Sequence, residues 1–319
     1  MEWIITEADC PTLVREFLRR RKGLSSTLLA RLKRTEGGIL LNGRPVTVRA
    51  PLSPGDRLNV SDLNADREPA VIPMPLPYGI LYEDEALLGL NKPPHMPTHP
   101  SYRHPDDSLA NAVAWTARSS GQSFVFRPVS RLDLDTSGLV LCAKTQYAAS
   151  RLSQSMQAGE IEKTYLSILD GILPAPEGSF ESFIQRSEDS IIYRNSFPAE
   201  TPGADYALTT WKVLAAENGK TLVAASPVTG RTHQLRVHFA ALGAPVLGDS
   251  LYGHGSPLIS RQALHAAKLR FPHPLTGRIL SLQAPFPDDI PDAGRALFTD
   301  FDFICKDFFD GEPTADNNR

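Results

Sequence analysis

Apolar residues in the first sixty positions recur at the spacing of two short helices. The pattern predicts one helix that begins at Pro11 and ends at Gly23, and a second that is capped by Ser25 and ends at Gly37-Gly38. Each helix has one apolar stripe, formed by Leu13, Val14, Phe17 and Leu18 in the first and by Leu28, Leu29 and Leu32 in the second. This segment is therefore expected to bury a small core of its own.

Strand-like patterns follow the two helices. Residues 39–48 contain two runs separated by Asn42-Gly43, and both of these residues tolerate the positive φ of a tight hairpin turn. A further strand is predicted from Gly55-Asp56 to Val60. We therefore expect residues 1–62 to form a small α/β module.

The pattern changes after this module. Residues 63–76 are polar and poor in strand formers, as expected of a linker. From residue 77 onward, short apolar strands alternate with helical stretches, which predicts an α+β or mixed domain over residues 77–300. Residues 301–319 are expected to be a tail with a disordered end. The clearest elements are strands at Leu87–Leu90, Leu139–Ala143 and Tyr165–Leu169, and a helix that is capped by Thr145 and runs to Gly159.

Composition narrows the class of protein. Of the 319 residues, 41% are hydrophobic and 22% are charged, which is typical of a soluble globular enzyme. No apolar run reaches the roughly 18 residues that a membrane span needs, and the acidic N-terminus does not resemble a signal peptide. The three cysteines are far apart, which disfavours a thiolate zinc site or a disulfide framework and favours a reducing, cytoplasmic location.

Charge is distributed unevenly. The formal net charge of −3 argues at first against a nucleic-acid partner. However, residues 1–60 carry 11 Lys and Arg against six Asp and Glu, whereas residues 284–319 carry three against nine. Phosphate binding depends on a local basic patch, and an ordinary solvated surface is the alternative. The basic side chains of the two predicted helices are Arg15, Arg19, Arg20, Arg21, Lys22, Arg31, Lys33 and Arg34.

A polar loop that leads into an apolar strand carries the first candidate chemistry. Asp133 and Asp135 lie two residues apart in this loop, directly before Thr136-Ser137-Gly138. Paired carboxylates can bind a metal or perform acid and base chemistry on a glycosidic bond. The alternative is a turn in which the Asp side chains accept hydrogen bonds from nearby backbone amides.

A second candidate segment has helical spacing, with Thr232 as its expected cap. His233 and His238 are five residues apart and point about 140° away from each other around a helix, so a shared zinc ion is rejected. Arg231 lies at the expected helix start, where the macrodipole disfavours a cation. This position suggests an anionic partner, although a long arginine stem can also carry the charge away into solvent.

Two further segments offer weaker signals. Strand alternation places Lys163 and Tyr165 on one face, so Tyr165 is either a ring at a functional site or part of the core. Asn91-Lys92-Pro93 ends a predicted strand and begins a stiff turn.

Together, these segments resemble the RluA-type pseudouridine synthases. The resemblance is collinear over about residues 78–290. It rests on Asn91-Lys92-Pro93, Arg131-Leu132-Asp133-x-x-Thr136-Ser137-Gly138-Leu139, Lys163-Thr164-Tyr165, Gly230-Arg231-Thr232-His233-Gln234-Leu235-Arg236-Val237-His238, Gly248-Asp249 with Tyr252-Gly253, and Arg261–Ala266 with Phe271-Pro272-His273-Pro274. The chain has Ser130 where the family often has His. Residues 12–60 resemble a small RNA-binding module of ribosomal proteins and RNA-modifying enzymes.

The resemblance implies a function and a set of roles. The domain would have a mixed, mainly antiparallel sheet and would isomerise uridine to pseudouridine in structured RNA, with no cofactor and no metal. Asp133 would be the catalytic carboxylate, either as a nucleophile or as a base on the ribose. Arg231 would pair with Asp133, Tyr165 would stack on the uracil, and Arg131 would fill the space left by the extruded base. The basic module would bind RNA.

The substrate and the competing functions stay open at this point. Large-subunit ribosomal RNA is favoured because the module suits large folded RNA, and transfer RNA is the alternative. A non-catalytic RNA-binding protein and a hydrolytic glycosidase that uses Asp133 and Asp135 are competing hypotheses. A cytoplasmic monomer is expected.

Overall fold

The computed structural model describes residues 1–24, 26–61, 71–121 and 125–310. The predicted cap at Ser25, most of the predicted linker and the end of the predicted tail lie outside these ranges. Within the described residues, no helix has both the length and the apolar character needed to cross a membrane.

Residues 1–60 fold around their own apolar cluster, which contains Val14, Phe17, Leu18, Leu28 and Leu32. The elements are β1 (Glu2–Ile4), a 3-10 turn (Glu7–Asp9), β2 (Thr12–Leu13), α1 (Val14–Glu16) continued by a π-helical turn (Phe17–Arg21), α2 (Ser26–Leu32), β3 (Ile39–Leu41), β4 (Arg44–Pro45), β5 (Pro51–Leu52) and β6 (Arg57–Val60). Four of the strands form a sheet in the order β1-β6-β3-β4.

Local signals in this segment are confirmed in part. Asn42 and Gly43 have φ values of 52° and 79°, so the hairpin between β3 and β4 turns at the predicted position. The first helix begins at Val14 and not at Pro11, because Thr12 and Leu13 pair with β5 as a short strand. Strand pairing therefore replaces the first turn of the predicted helix.

The described residues from 71 onward form a second, larger body. Its elements are β7 (Gly79–Glu83), β8 (Leu87–Lys92), α3 (Leu109–Ser119), β9 (Ser137–Ala143), α4 (Gln146–Gln157), β10 (Glu162–Leu169), β11 (Glu177–Arg186), β12 (Arg194–Phe197), β13 (Asp205–Glu217), β14 (Lys220–Pro227), α5 (Gln234–Ala241), β15 (Leu264–Pro272), β16 (Ile279–Gln283), α6 (Asp289–Leu297) and α7 (Phe301–Asp310). The helix predicted after Thr145 is α4, and the Thr145 hydroxyl accepts a hydrogen bond from the Ala148 amide at 3.0 Å.

One ten-stranded sheet organises this body. Nine strands follow the order β12-β11-β13-β14-β10-β15-β9-β8-β7, and β16 pairs with β15. The pairing of β9 with β15 is parallel, whereas the other pairings are antiparallel. The fold is therefore α+β with a mixed, mainly antiparallel sheet, as predicted. All seven residues of β9 are buried, so this strand is covered on both faces and fixes the loop that precedes it.

The expected domain end at residue 300 is wrong. Phe301 and Cys305 are 2% and 6% exposed and belong to the same apolar cluster as Phe239 of α5 and Ile290 of α6. Residues 301–310 thus form a helix that packs on the larger body. On α7, Phe308 and Phe309 also pack against this cluster, whereas Phe303 is 72% exposed.

Candidate active site

Asp133 lies in the loop that leads into β9, at the wall of a cleft of about 1000 Å³. The loop enters the strand through Gly138, whose φ is +109°. A Cβ at this position would clash with the carbonyl oxygen of Ala266 on β15. Only glycine permits this backbone approach, so the parallel pairing of β9 with β15 sets where the Asp133 loop begins.

The backbone of this loop is fixed at almost every residue. The Thr98 hydroxyl donates to the Leu132 carbonyl at 3.0 Å and accepts from the Leu132 amide at 3.1 Å. The ammonium group of Lys92 donates to the Leu134 carbonyl at 3.0 Å. Arg261 donates to the Asp135 carbonyl at 2.8 Å. Asp133 is therefore held on a rigid loop, as preorganised catalytic groups require.

Lys92 and Arg261 are themselves buried. Lys92 is 0% exposed, and its Nζ also donates to the carbonyls of Pro93 and Met96 at 2.9 and 2.6 Å. Burial lowers the pKa of Lys92 to about 7. Arg261 forms a two-pronged ion pair with Asp289 at 2.6 and 2.8 Å, which compensates its charge.

Arg236 provides the cation next to the Asp133 carboxylate. Its Nη1 lies 3.5 Å from Oδ2 of Asp133. The same guanidinium group makes two hydrogen bonds to Asp249 at 2.6 and 2.8 Å, and it lies over the ring of Tyr252 at 5.1 Å. Because Asp249 and Tyr252 fix the guanidinium plane, Arg236 orients Asp133 and does not simply attract it.

The predicted pairing of Arg231 with Asp133 is wrong in this structure. Arg231 donates from Nε to the Tyr206 carbonyl at 2.9 Å, and its Nη1 lies 3.6 Å from Asp205. It is exposed and lies at the cleft wall, away from the carboxylate. The physical reason is the position of the helix: α5 begins at Gln234, so its first turn directs Arg236 and not Arg231 toward the Asp133 loop.

The start of α5 also differs from the prediction. His233, and not Thr232, is the residue before the helix, and it adopts a left-handed conformation with a φ of 58°. Its Nδ1 lies 2.9 Å from the Tyr252 hydroxyl, and its Nε2 lies 3.9 Å from Asp133. Burial lowers the pKa of His233, which opposes the effect of the Asp133 charge. The side chain is therefore placed to contact both Tyr252 and the carboxylate.

Tyr165 lines the same cleft as Asp133. Burial raises the pKa of its phenol, and the negative charge of Asp133 raises it further. Tyr165 is thus a neutral ring and hydrogen-bond donor at neutral pH. Lys163 lines the cleft beside it, and burial lowers the pKa of this lysine. Strand alternation along β10 therefore brings both predicted side chains to the site.

Arg131 and Ser130 lie at the mouth of the cleft. Arg131 is exposed, and the structure shows no acidic partner for it among the described residues. Its guanidinium group is consequently accessible to an incoming ligand.

Asp135 has an environment different from that of Asp133. Its Oδ1 lies 2.7 Å from Nδ1 of His95, and the residue does not line the cleft. The two carboxylates therefore do not face one another across a substrate space, which argues against a glycosidase that uses both. Among the described residues, no cluster of His, Cys, Asp and Glu is arranged to hold a metal ion.

The eight basic side chains of the module are not equivalent. Arg21 pairs with Asp9 at 3.1 Å, and the Lys22 ammonium lies over the rings of Trp3 and Phe17 at 5.9 and 5.1 Å. The other six are exposed and show no acidic partner in the described part of the chain: Arg15, Arg19, Arg20, Arg31, Lys33 and Arg34.

Comparisons with known proteins agree with this geometry. A family model described as RNA pseudouridylate synthase matches residues 86–241. The Bacillus subtilis (strain 168) protein YjbO, named as an uncharacterized RNA pseudouridine synthase, is 39% identical over 268 residues, which cover 84% of this chain and 93% of the relative. Ribosomal large subunit pseudouridine synthase D of Zymomonas mobilis subsp. mobilis is 33% identical over 303 residues, which cover 88% of this chain and 94% of the relative.

A solved structure supports the same assignment. Human RNA pseudouridylate synthase domain containing 1 is 25% identical, with a TM-score of 0.59, and the match covers 78% of this chain and 100% of the human one. Fold and site thus define an RNA-modifying isomerase. The chain belongs to the RNA pseudouridylate synthase family, within its RluA-type branch, and is an RNA pseudouridine synthase.

Some site residues were given no role by the sequence analysis. These residues all lay within the quoted motifs, and they are Lys92, Arg236, Asp249, Tyr252 and Arg261. A signal for Arg236 was available in the sequence, because it lies between the apolar residues Leu235 and Val237 of a predicted helix, and a buried arginine needs an anionic partner.

Proposed function

We propose that this enzyme converts specific uridines of large-subunit ribosomal RNA to pseudouridine. The observation that carries the assignment of roles is the ion pair between Asp133, on its fixed loop, and Arg236 of α5, in a cleft that Tyr165 also lines. The ribosomal substrate is supported by relatives whose names specify the large ribosomal subunit, at 31% to 33% identity.

The proposed roles follow from the chemistry. Asp133 acts on the ribose while the bond between N1 and C1′ breaks. The uracil rejoins C1′ through carbon 5, which then loses its proton, and N1 takes up a proton, so the product is an isomer of uridine. No electron donor or acceptor is required. Arg236 keeps the carboxylate ionised and oriented, because its positive charge favours the anionic form. Tyr165 stacks on the uracil and relays the proton from carbon 5, giving up its own hydroxyl proton as it takes this one.

Access to the base requires that the uridine leave its stack. Arg131 occupies the space that the base vacates, since a planar guanidinium group stacks on neighbouring bases. Arg231, at the cleft wall with one side exposed, contacts an RNA phosphate and not the catalytic carboxylate. Residues 1–62 act as an RNA-binding module, and the six exposed basic side chains described above contact the backbone.

The substrate can be tested by mapping pseudouridines in cells with and without the protein. We expect at least one site in large-subunit ribosomal RNA to be lost in the deletion, to return with the wild-type protein, and to stay absent with Asp133→Asn. Loss of sites in transfer RNA only would contradict the ribosomal assignment while leaving the enzymatic activity intact.

The module is tested separately by its salt dependence. Replacing Arg19 and Arg20 with Gln should lower the slope of log affinity against log salt by roughly one to two, because each phosphate contact contributes about 0.7 to 0.9. An unchanged slope would show that these two side chains do not face RNA.

A further inference from the structure

Helix α4 joins the N-terminal module to the catalytic body. Tyr147 is 7% exposed and belongs to the apolar cluster of the module, with its ring centroid 6.0 Å from that of Trp3. On the same helix, Ala148 and Leu152 are 0% exposed and pack into the cluster around β8 and β9. One helix therefore contributes to both cores.

Polar contacts fix the same junction. The carbonyl of Gly23 accepts a hydrogen bond from Gln154 at 2.6 Å and another from Ser150 at 3.2 Å. Gly23 has a φ of +70°, and a Cβ there would lie 2.5 Å from Oε1 of Gln154. The module thus sits on α4 in a defined orientation, held by apolar and hydrogen-bonding contacts together.

A groove of about 570 Å³ lies at this junction, between α2 and α4. Arg31 and Thr27 contribute from the module, and Ser153 and Gln157 contribute from α4. Gln157 also lines the catalytic cleft, so the groove and the cleft share this residue in their walls.

Acidic side chains are scarce along the groove and the catalytic cleft, although they are common in the chain as a whole. The protein carries 36 Asp and Glu, yet α4 contains no acidic residue from Gln146 to Gln157. Among the described residues that line the groove or the cleft, Asp133 is the one carboxylate. A path that offers arginine, hydroxyl and amide groups without acidic side chains suits a sugar-phosphate backbone.

We propose that the groove between α2 and α4 holds the RNA strand next to the target uridine and leads it into the catalytic cleft. The strand contacts Arg31 from the module side and Ser153 and Gln157 from α4. The inference rests on RNA as the substrate. The RNA strand would follow a defined route, along which the module and the catalytic body form one binding surface through α4.

The test uses charge substitutions of both signs at one exposed position. Ser153 is exposed, so Ser153→Glu and Ser153→Lys change the charge of the groove without disturbing a buried contact. Ser119 is also an exposed helical serine but lines neither the groove nor the cleft, so Ser119→Glu and Ser119→Lys are matched controls. Binding of a target RNA fragment is measured by fluorescence anisotropy at several salt concentrations, and turnover is measured as tritium release from RNA labelled at carbon 5.

The expected result is a pair of opposite shifts. Ser153→Glu should weaken binding by about fivefold or more at low salt, and Ser153→Lys should tighten it and steepen the salt slope by about 0.7 to 0.9. Both Ser119 variants should stay within about twofold of the wild type in RNA affinity and in kcat. Equal affinity in all variants, or weakening by both Ser153 substitutions, would overturn the proposal. Failure of the wild type to release tritium would instead count against the enzymatic function.

Discussion

The structure pairs Asp133 with Arg236, whereas the sequence had predicted Arg231, and this difference can be tested directly. Arg236 contacts Asp133 at 3.5 Å, whereas Arg231 pairs with Asp205 and the Tyr206 carbonyl. We predict that Arg236→Gln lowers kcat strongly and that Arg231→Gln leaves kcat within a few-fold of the wild type.

The size of the expected decrease in kcat follows from the distance between the two charges and from their burial. Two unit charges 3.5 Å apart attract by about 1 kcal/mol at a dielectric constant of 80 and by about 5 kcal/mol at 20. The side chain of Asp133 is 25% exposed and that of Arg236 is 9% exposed, so a value between these limits applies. About 3 kcal/mol of lost stabilisation of the ionised, oriented carboxylate corresponds to a decrease in kcat of roughly 100-fold.

The variant must also remain folded. The side chain of Asp249 is 0% exposed, and removing Arg236 alone leaves this carboxylate buried without its cation, at a cost of about 3 to 5 kcal/mol. Arg236→Gln combined with Asp249→Asn removes both charges and keeps hydrogen-bonding groups in place. Thermal unfolding of both variants, followed by single-turnover tritium release, separates a folding defect from a catalytic one.

The outcome distinguishes the two arginines. If the double variant is folded and retains wild-type kcat, Arg236 does not support Asp133. If Arg231→Gln instead shows the 100-fold loss, the pairing expected from the sequence holds during catalysis and the arrangement described here does not.

Three further predictions concern the ring, the loop and the buried histidines. Tyr165→Phe keeps the ring and removes the hydroxyl, so RNA affinity should stay within a few-fold while kcat falls by roughly 10²-fold or more; wild-type kcat in this variant would exclude a role in proton transfer. Gly138→Ala forces a Cβ against the Ala266 carbonyl at positive φ and should cost about 3 kcal/mol or more, measured by urea unfolding; a smaller loss would show that the loop can shift. Burial lowers the pKa values of His238 and His265 to about 4. Because the unfolded chain binds more protons than the folded one between pH 6.5 and 4, the free energy of unfolding should fall as the pH decreases through this window, by up to about 3 kcal/mol for each histidine. This fall should be smaller in His265→Asn, and an equal fall in that variant would contradict this account.

Local elements could be predicted from the sequence because their signals are local. The cap at Thr145 and the turn at Asn42-Gly43 depend on residues within four positions of each other, and both are present in the structure. Strand β9 was visible as an uninterrupted apolar run at Leu139–Ala143, since it is buried along its whole length.

The site depended on contacts that the sequence does not encode locally. Asp133 and Arg236 are 103 positions apart, and the start of α5 decides which arginine reaches the carboxylate. Capping preferences favoured Thr232, yet the left-handed backbone of His233 moves the helix start and places its imidazole between Tyr252 and Asp133. A tertiary hydrogen bond therefore outweighed a local preference.

The C-terminal boundary shows a related effect. Residues 301–319 were expected to be a tail, and acidic residues outnumber basic ones by nine to three over residues 284–319. Phe301 and Cys305 nevertheless recur on one face of α7 and complete the apolar cluster of the larger body. The spacing of apolar positions was more informative here than the average charge.

The role of the Asp133 carboxylate is tested most directly by one substitution. Wild-type protein and Asp133→Asn are incubated with RNA labelled with tritium at carbon 5 of uridine, taken from cells that lack the protein so that target uridines are unmodified. We predict tritium release by the wild type and none by Asp133→Asn, while the two proteins bind this RNA with affinities within a few-fold of each other. Tritium release by Asp133→Asn at the wild-type rate would contradict the assignment of Asp133 as the catalytic carboxylate.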